Sequence, residues 1–198
     1  MSIMIIYGNN KNASVLTDCR ATYRMKDGST QYYERMCKVR KFNKTIIGII
    51  GDGDYANKIY DSIKNNNFFS SRKEFINAKF EDLYELCLMY SKQYKNDFNG
   101  LGCMIAIAGI NKNNQIMLDY FHTSDYIHHT VIPADSNYVS KVFCNNNEAE
   151  IDQKANKIAN TTKENLIPSE LHNMISEDVV PTDNTVNRNY SFEAISIE

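Results

Sequence analysis

Ser2, Asp18 and Lys38 are residue types that together can turn a hydroxyl into a nucleophile, and the chain spaces them so that strands could deliver all three. Ser2 follows the initiator Met1, and methionine removal is efficient when the second residue is small, so the expected mature chain begins with a free serine amine. Such an α-amino group has an ordinary pKa of about 7.7–8.0 and can take the hydroxyl proton near neutral pH. Asp18 lies sixteen residues further on, at the end of the apolar run Ser14-Val15-Leu16-Thr17 and ahead of an Arg20-Ala21-Thr22 turn. Lys38 sits in Met36-Cys37-Lys38-Val39-Arg40-Lys41-Phe42, whose alternation predicts Met36, Lys38 and Arg40 on one strand face and Cys37, Val39 and Lys41 on the other. A lysine close to the hydroxyl lowers the pKa of its neighbours, and an aspartate orients and balances the ammonium. The chemistry implied is that of an N-terminal nucleophile.

The elements that must position these groups read as follows. Strands are predicted over residues 2–8, 13–19, 36–42 and 45–50, with turns at 8–10 and 43–44, so that four strands precede any helix. Helical spacing of Tyr55, Ile59, Tyr60 and Ile63 predicts a helix over 53–64, and Phe80, Leu83, Leu86, Cys87 and Tyr90 predict a second one ending near Lys95. Residues 101–110 and 115–120 read as a strand pair joined by an Asn-rich turn. Residues 137–143 and 148–164 read as two further helices, Pro168 as a bar to continuation, 169–189 as an irregular polar connection, and 190–197 as a closing strand. Alternating groups of strands and helices predict two sheets between two helical layers.

Composition narrows the partners little. The 198 residues fit one domain, 1–198, able to bury a sizeable core. Net charge is −2 with both signs interleaved, which argues against nucleic acid as a partner. Five widely spaced cysteines, mostly in apolar runs, imply free buried thiols in a reducing cytoplasm. No run of about eighteen apolar residues is present for a membrane span, and the apolar start is too short for a signal segment.

In order and spacing, these residues resemble the proteasome β-subunits and especially their bacterial HslV-type relatives, over most of the first 145 residues. Ser2 to Asp18 has the family spacing, Asp18-Cys19-Arg20-Ala21-Thr22 matches the Asp-x-x-Ala-Thr turn, and Lys38-Val39-Arg40-Lys41-Phe42 matches the lysine strand after roughly five extra loop residues. Thr45-Ile46-Ile47-Gly48-Ile49-Ile50-Gly51 then looks like the family's apolar strand and its Gly-containing turn, and the pair at 101–120 like its second central strands. The resemblance implies an α+β fold, a four-layer αββα sandwich of the N-terminal nucleophile hydrolase kind. It further implies a catalytic set of Ser2, Asp18, Lys38 and the backbone N–H of Gly51 as oxyanion donor, acting on a peptide or unfolded-protein substrate with no metal or organic cofactor. A homo-oligomeric ring and a separate ring ATPase also follow from it. Where the family has a Gly-Ser-Gly turn this chain is expected to place Ile132-Pro133-Ala134-Asp135-Ser136-Asn137, and Glu164 and Asp183 stand as loose candidates for the family's downstream acidic position.

Other readings of the same residues stand beside this one. Asp18 can cap a strand end or pair with Arg20, and Lys38 can be a solvated residue. Cys19 and Cys37 flank the pair, but no histidine lies near them in sequence. His122, His128 and His129 lack a metal-site spacing, and Asp52-Gly53-Asp54 fits a tight turn opening a helix better than a calcium loop. A catalytically inactive protein that keeps the fold for assembly or binding, and a small-molecule amidase on the same fold, are the alternative functions.

Overall fold

The computed structural model describes residues 2–25, 27–65, 69, 71–95 and 102–197. Met1, whose removal is expected above, and Leu101, at the start of a predicted strand, lie outside them. The chain opens with β1 (Met4–Gly8) and β2 (Asn12–Asp18), an antiparallel pair with Gly8 opposite Ala13 and Met4 opposite Thr17. Asn9 makes the turn, its side-chain oxygen accepting from the backbone N–H groups of Lys11 and Asn12. A small separate hairpin follows, β3 (Ala21–Arg24) with β4 (Thr30–Tyr33). It takes up the extra residues between the Asp18 turn and Lys38, and the sequence pattern did not reveal it: β4 is exposed along its whole length and so lacks a hydrophobic period.

β5 (Val39–Phe42) and β6 (Thr45–Ile50) form the next hairpin, turning through Asn43 at φ 55°. Helix α1 (Gly53–Lys64) starts at once, capped by Asp52, whose carboxylate accepts from Tyr55 N–H. The short α2 (Arg72–Ile76), with no buried residue and hence no apolar stripe, is also absent from the sequence reading. α3 (Phe80–Tyr94), β7 (Met104–Ile110) and β8 (Ile116–His122) lie where the periodicity predicts them.

Residues 137–143 differ from expectation. They form β10 (Val139–Phe143), after the short β9 (His129–Val131), and not a helix. Tyr138, Val142 and Val139, Phe143 are four apart and mimic a helical stripe. Pairing against β1 decides the outcome, because Val142 then packs with the helices behind that sheet while Phe143 packs on the opposite face. After α4 (Glu148–Thr161), a 3-10 turn (Glu164–Leu166) leads into α5 (Ile167–Met174) and a π-helical turn (Ile175–Val179), so 169–189 is not an irregular connection throughout. The helix before Pro168 has ended at Thr161, and Pro168 stands in the first turn of the new helix α5, where its missing N–H costs nothing. β11 (Tyr190–Ser196) closes the chain beside β2.

The two large sheets are antiparallel, in the orders β10-β1-β2-β11 and β5-β6-β7-β8-β9. Side chains of alternate strand residues separate into distinct apolar clusters. Ile47, Ile49, Ile105 and Ile107 meet Ile59, Tyr60, Ile63 and Leu83 of α1 and α3. Ile3, Ile5, Leu16 and Val142 meet Ile151, Ala155, Ile167 and Leu171 of α4 and α5. Met4, Ile6 and Val15 of one sheet meet Ile46, Ala106 and Leu118 of the other. Each fully buried isoleucine or leucine contributes roughly 1.5–3 kcal/mol, so these clusters fix the sheets firmly. The sheets approach closely at Gly48, since a Cβ there would fall 2.7 Å from Met4 Sδ and 2.9 Å from Val15 Cγ1. No helix among the described residues is long and apolar enough to cross a membrane.

Candidate active site

The start of the chain is carried past the end of β2 by the β1–β2 register. Ile3 N–H donates to Asp18 Oδ1 at 3.0 Å, and Asp18 N–H donates to the Ile3 carbonyl at 3.3 Å. Asp18, the last residue of β2, is fully buried, and its second oxygen accepts from Arg20 N–H at 2.9 Å. The Arg20 guanidinium turns away to Glu34, so Asp18 does not pair with it. Asp18 instead receives Lys38, whose Nζ lies 3.0 Å from both carboxylate oxygens and 2.5 Å from Ser2 Oγ. Ser2 and Lys38 are both buried. The structure thus gathers three of the four predicted site residues into one hydrogen-bonded cluster.

Lys38 precedes β5 rather than sitting inside it, and the predicted sharing of strand faces does not hold, since Lys38 and Val39 are both buried while Cys37 is exposed. Its backbone is nevertheless fixed. The Lys38 carbonyl accepts from Ile49 N–H at 2.9 Å and from the buried Tyr60 hydroxyl at 2.8 Å. Burial pushes Lys38 down from the ordinary lysine range and pushes the Asp18 carboxyl up, while their mutual attraction opposes both shifts. As an ammonium, Lys38 gives its three N–H donors to the two Asp18 oxygens and Ser2 Oγ. As a neutral amine it can accept the Ser2 hydroxyl proton across the same contact.

Gly51, the fourth predicted residue, lines the same cleft, a space of about 510 Å³ bordered also by Ser2, Thr22, Met36, Ile49 and Asp54. Its φ of 126° lies in the region that favours glycine, and a Cβ would fall 2.7 Å from Cys103 Sγ and 3.0 Å from the Gly102 carbonyl oxygen. Gly51→Ala is therefore expected to lower stability by about 1–3 kcal/mol through backbone strain, with the clash adding to it. Chemical denaturation of the two proteins checks this.

Of the looser candidates, Glu164 borders a different cavity of about 560 Å³ with Tyr7, Tyr138 and Phe192, at which none of Ser2, Asp18 and Lys38 is present. Asp183 is buried and accepts from Asn145 Nδ2 at 2.9 Å and Thr185 N–H at 2.9 Å. Burial pushes its carboxyl up, but these hydrogen bonds outweigh that and hold it below the usual range. Residues 132–137 do not approach Ser2. Asp135 and Ser136 carbonyls bond Asn10 and Asn9, at the far end of β1, so the expected match to the family's Gly-Ser-Gly turn is incorrect. With Met4 opposite Phe143, it is residues 144–147 that run toward the Ser2 end of β1. Sequence reasoning also missed Asn187, which accepts from Cys19 N–H through Oδ1 at 3.2 Å and donates to the Glu34 carbonyl, bracing the corner just after Asp18.

The histidines serve other contacts. His128 Nδ1 lies 3.1 Å from the buried Asp119 and 2.8 Å from Tyr84 Oη, His122 bonds Ser124, and His129 stacks on Tyr120. Asp52 is the cap of α1, as a tight turn opening a helix requires. Cysteines 19, 87, 103 and 144 are buried free thiols, and Cys37 is the exposed exception to the expected burial.

This chain has two antiparallel sheets with helices packed on them, a fold like that of solved HslV and Anbu structures, and it gathers a hydroxyl, a lysine and an aspartate at the start of its first hairpin. Among particular solved structures it is similar to the eukaryotic HslV of Trypanosoma brucei, with 13% identity over 98% of this chain and 99% of that one, at a TM-score of 0.60. It is also similar to Anbu, the ancestral β-subunit, of Yersinia bercovieri, with 9% identity over 98% of this chain and 81% of that one, at a TM-score of 0.71. Anbu of Hyphomicrobium sp. strain MC1 matches with 7% identity over 99% of this chain and 87% of that one, at a TM-score of 0.68. No protein-family model and no curated protein sequence matches the chain. At such identities the likeness is one of fold.

Proposed function

We propose that this chain is a proteasome-like N-terminal nucleophile hydrolase that cleaves peptide bonds, with Ser2 as nucleophile once Met1 is removed. The observation that carries the reading is the 2.5 Å contact between Ser2 Oγ and a buried Lys38 that is itself clamped by Asp18. Neutral Lys38 takes the hydroxyl proton as Ser2 Oγ bonds to the scissile carbonyl carbon. The Gly51 N–H supports the resulting oxyanion. The carbon–nitrogen bond then breaks, and the departing amine takes a proton from the free Ser2 ammonium or through water. A water deprotonated by the now neutral Ser2 amine attacks the acyl ester carbon, and Ser2 Oγ departs with the proton held on Lys38, which returns both amines to their starting states. Asp18 holds Lys38 in place and stabilises its charged form during the step.

The rest of the reading belongs to the same proposal: a single 1–198 domain, a four-layer αββα sandwich, a homo-oligomeric ring, a peptide or unfolded-protein substrate, a cytoplasmic setting and a separate ring ATPase. The apolar clusters on either side of each large sheet support the layered arrangement.

Hydrolysis of fluorogenic peptide amides by protein whose mass proves a free Ser2 tests the function, with Met1-retaining protein as comparison. Activity confined to the processed form is expected, and processed protein that cleaves neither peptides nor an unfolded protein contradicts the proposal. The pH profile follows from the base. Lys38 must be neutral to accept a proton, and burial lowers its pKa, so kcat/KM is expected to rise with pH and level off below the ordinary lysine value of about 10.4. A rate that falls as pH rises from neutrality would contradict that assignment.

A further inference from the structure

We infer that Cys103 is a positioning residue for the Gly51 oxyanion donor, an inference that rests on the hydrolase reading of the cleft. Cys103 lies just before β7, fully buried, and its backbone is held on both sides by one residue: its N–H donates to Thr123 Oγ1 at 2.8 Å, and Thr123 N–H donates to its carbonyl at 2.9 Å. From that fixed point its sulfur does two things. Sγ accepts the backbone N–H of Asp52 at 3.2 Å, which orients the peptide directly after Gly51. Sγ also occupies the space in which a Gly51 side chain would stand.

The peptide before Gly51 is fixed from the same strand, because Ile50 pairs with Met104 in the β6–β7 ladder. Residues 103 and 104 together therefore hold both sides of the cleft-lining glycine, whose φ and ψ are the torsions between the two peptide planes. Burial pushes the Cys103 thiol up to about 11, so it remains a neutral acceptor and is not a second nucleophile. A rotation of the Gly51 N–H would weaken the bond to the developing oxyanion while leaving substrate contacts elsewhere in the cleft intact, so the effect belongs in kcat.

The test compares Cys103→Ala, Cys103→Val and Cys103→Ser with wild type on a fluorogenic peptidyl coumarin amide. Alanine and valine, which lack an acceptor, are expected to lower kcat roughly 10- to 100-fold with KM changed by less than about twofold, while serine restores a large part of kcat. Wild-type kcat in all three variants overturns the inference, as does an equal loss in all three, which would mark Cys103 as packing alone. Hydrogen exchange of the Asp52 amide needs no substrate and separates this inference from the parent reading. Exchange should accelerate in Cys103→Ala and Cys103→Val and remain slow in Cys103→Ser. Unchanged protection in the first two overturns the positioning role, whereas an inactive wild type with the expected exchange pattern overturns the hydrolase reading and leaves Cys103 as the anchor of this turn.

Discussion

Ser2→Ala is expected to abolish peptide hydrolysis, lowering kcat on the order of 10⁴- to 10⁶-fold, because the hydroxyl removed is the one that Lys38 touches. Alanine is small enough that methionine removal continues, so the variant keeps the same mature length and a free α-amine. The structural cost is modest. Lys38 loses one acceptor but retains both oxygens of Asp18, so stability should fall by about 1–2 kcal/mol. Progress curves at high enzyme concentration, with the variant's denaturation midpoint measured in parallel, separate lost chemistry from lost fold. Residual activity within tenfold of wild type, on the scale where a factor of ten is about 1.4 kcal/mol, would remove Ser2 from the nucleophile's role.

Asp18→Ala should damage both fold and activity. It leaves Lys38 buried without its counter-charge and also strands the backbone N–H groups of Ile3 and Arg20, so a loss of about 3–5 kcal/mol in unfolding free energy is expected. Removing both charges in Asp18→Ala/Lys38→Met should recover part of that stability, because the uncompensated charge is then gone, while activity stays absent. Urea unfolding of the two singles and the double forms the cycle. Additive losses, with no recovery in the double variant, would mean that the pair is not coupled as the 3.0 Å contacts require.

The Ser2–Asp18 spacing was legible in the sequence because it is a local register. In a hairpin with Gly8 opposite Ala13, residues whose numbers sum to 21 face each other, so Asp18 arrives beside Ile3 and within reach of Ser2 without help from the rest of the fold. Lys38 is different. The hairpin β3–β4 returns the chain to this corner, where Met36 N–H donates to the Cys19 carbonyl, but that hairpin carries no hydrophobic period, so the strand pattern around Lys38 does not name its partner. The helices α1 and α3 were legible from their apolar stripes, whereas β10 was not, because its four-residue spacing satisfies a helix and a strand alike until β1 supplies hydrogen-bonding partners. The same limit explains α5. Leu171, Met174, Ile175 and Val179 do carry helical spacing, but Pro168 ahead of them reads equally as a stop or as a first-turn residue.

Polar residues that brace the site were the least legible. Asn187 lies far from Asp18 in sequence, and an asparagine in a polar stretch carries no sign that it will bond the buried Cys19 amide. Cys103 in an apolar run is indistinguishable from ordinary core until the turn at Gly51 is seen against it. The misplacement of residues 132–137 has the same origin. β10 runs antiparallel to β1, so the turn before it lies beside Asn9 and Asn10, a placement that only strand pairing reveals.

The central claim is that Ser2, with its own amine free, is the nucleophile. Exposure of the purified protein to a peptidyl epoxyketone, followed by intact-mass measurement and fragmentation of the N-terminal peptide, tests it most directly. The account predicts chain lacking Met1 and carrying one adduct that joins Ser2 Oγ and the α-amine. Chain with a free, unmodified Ser2, or an adduct on the exposed Cys37 instead, would contradict it.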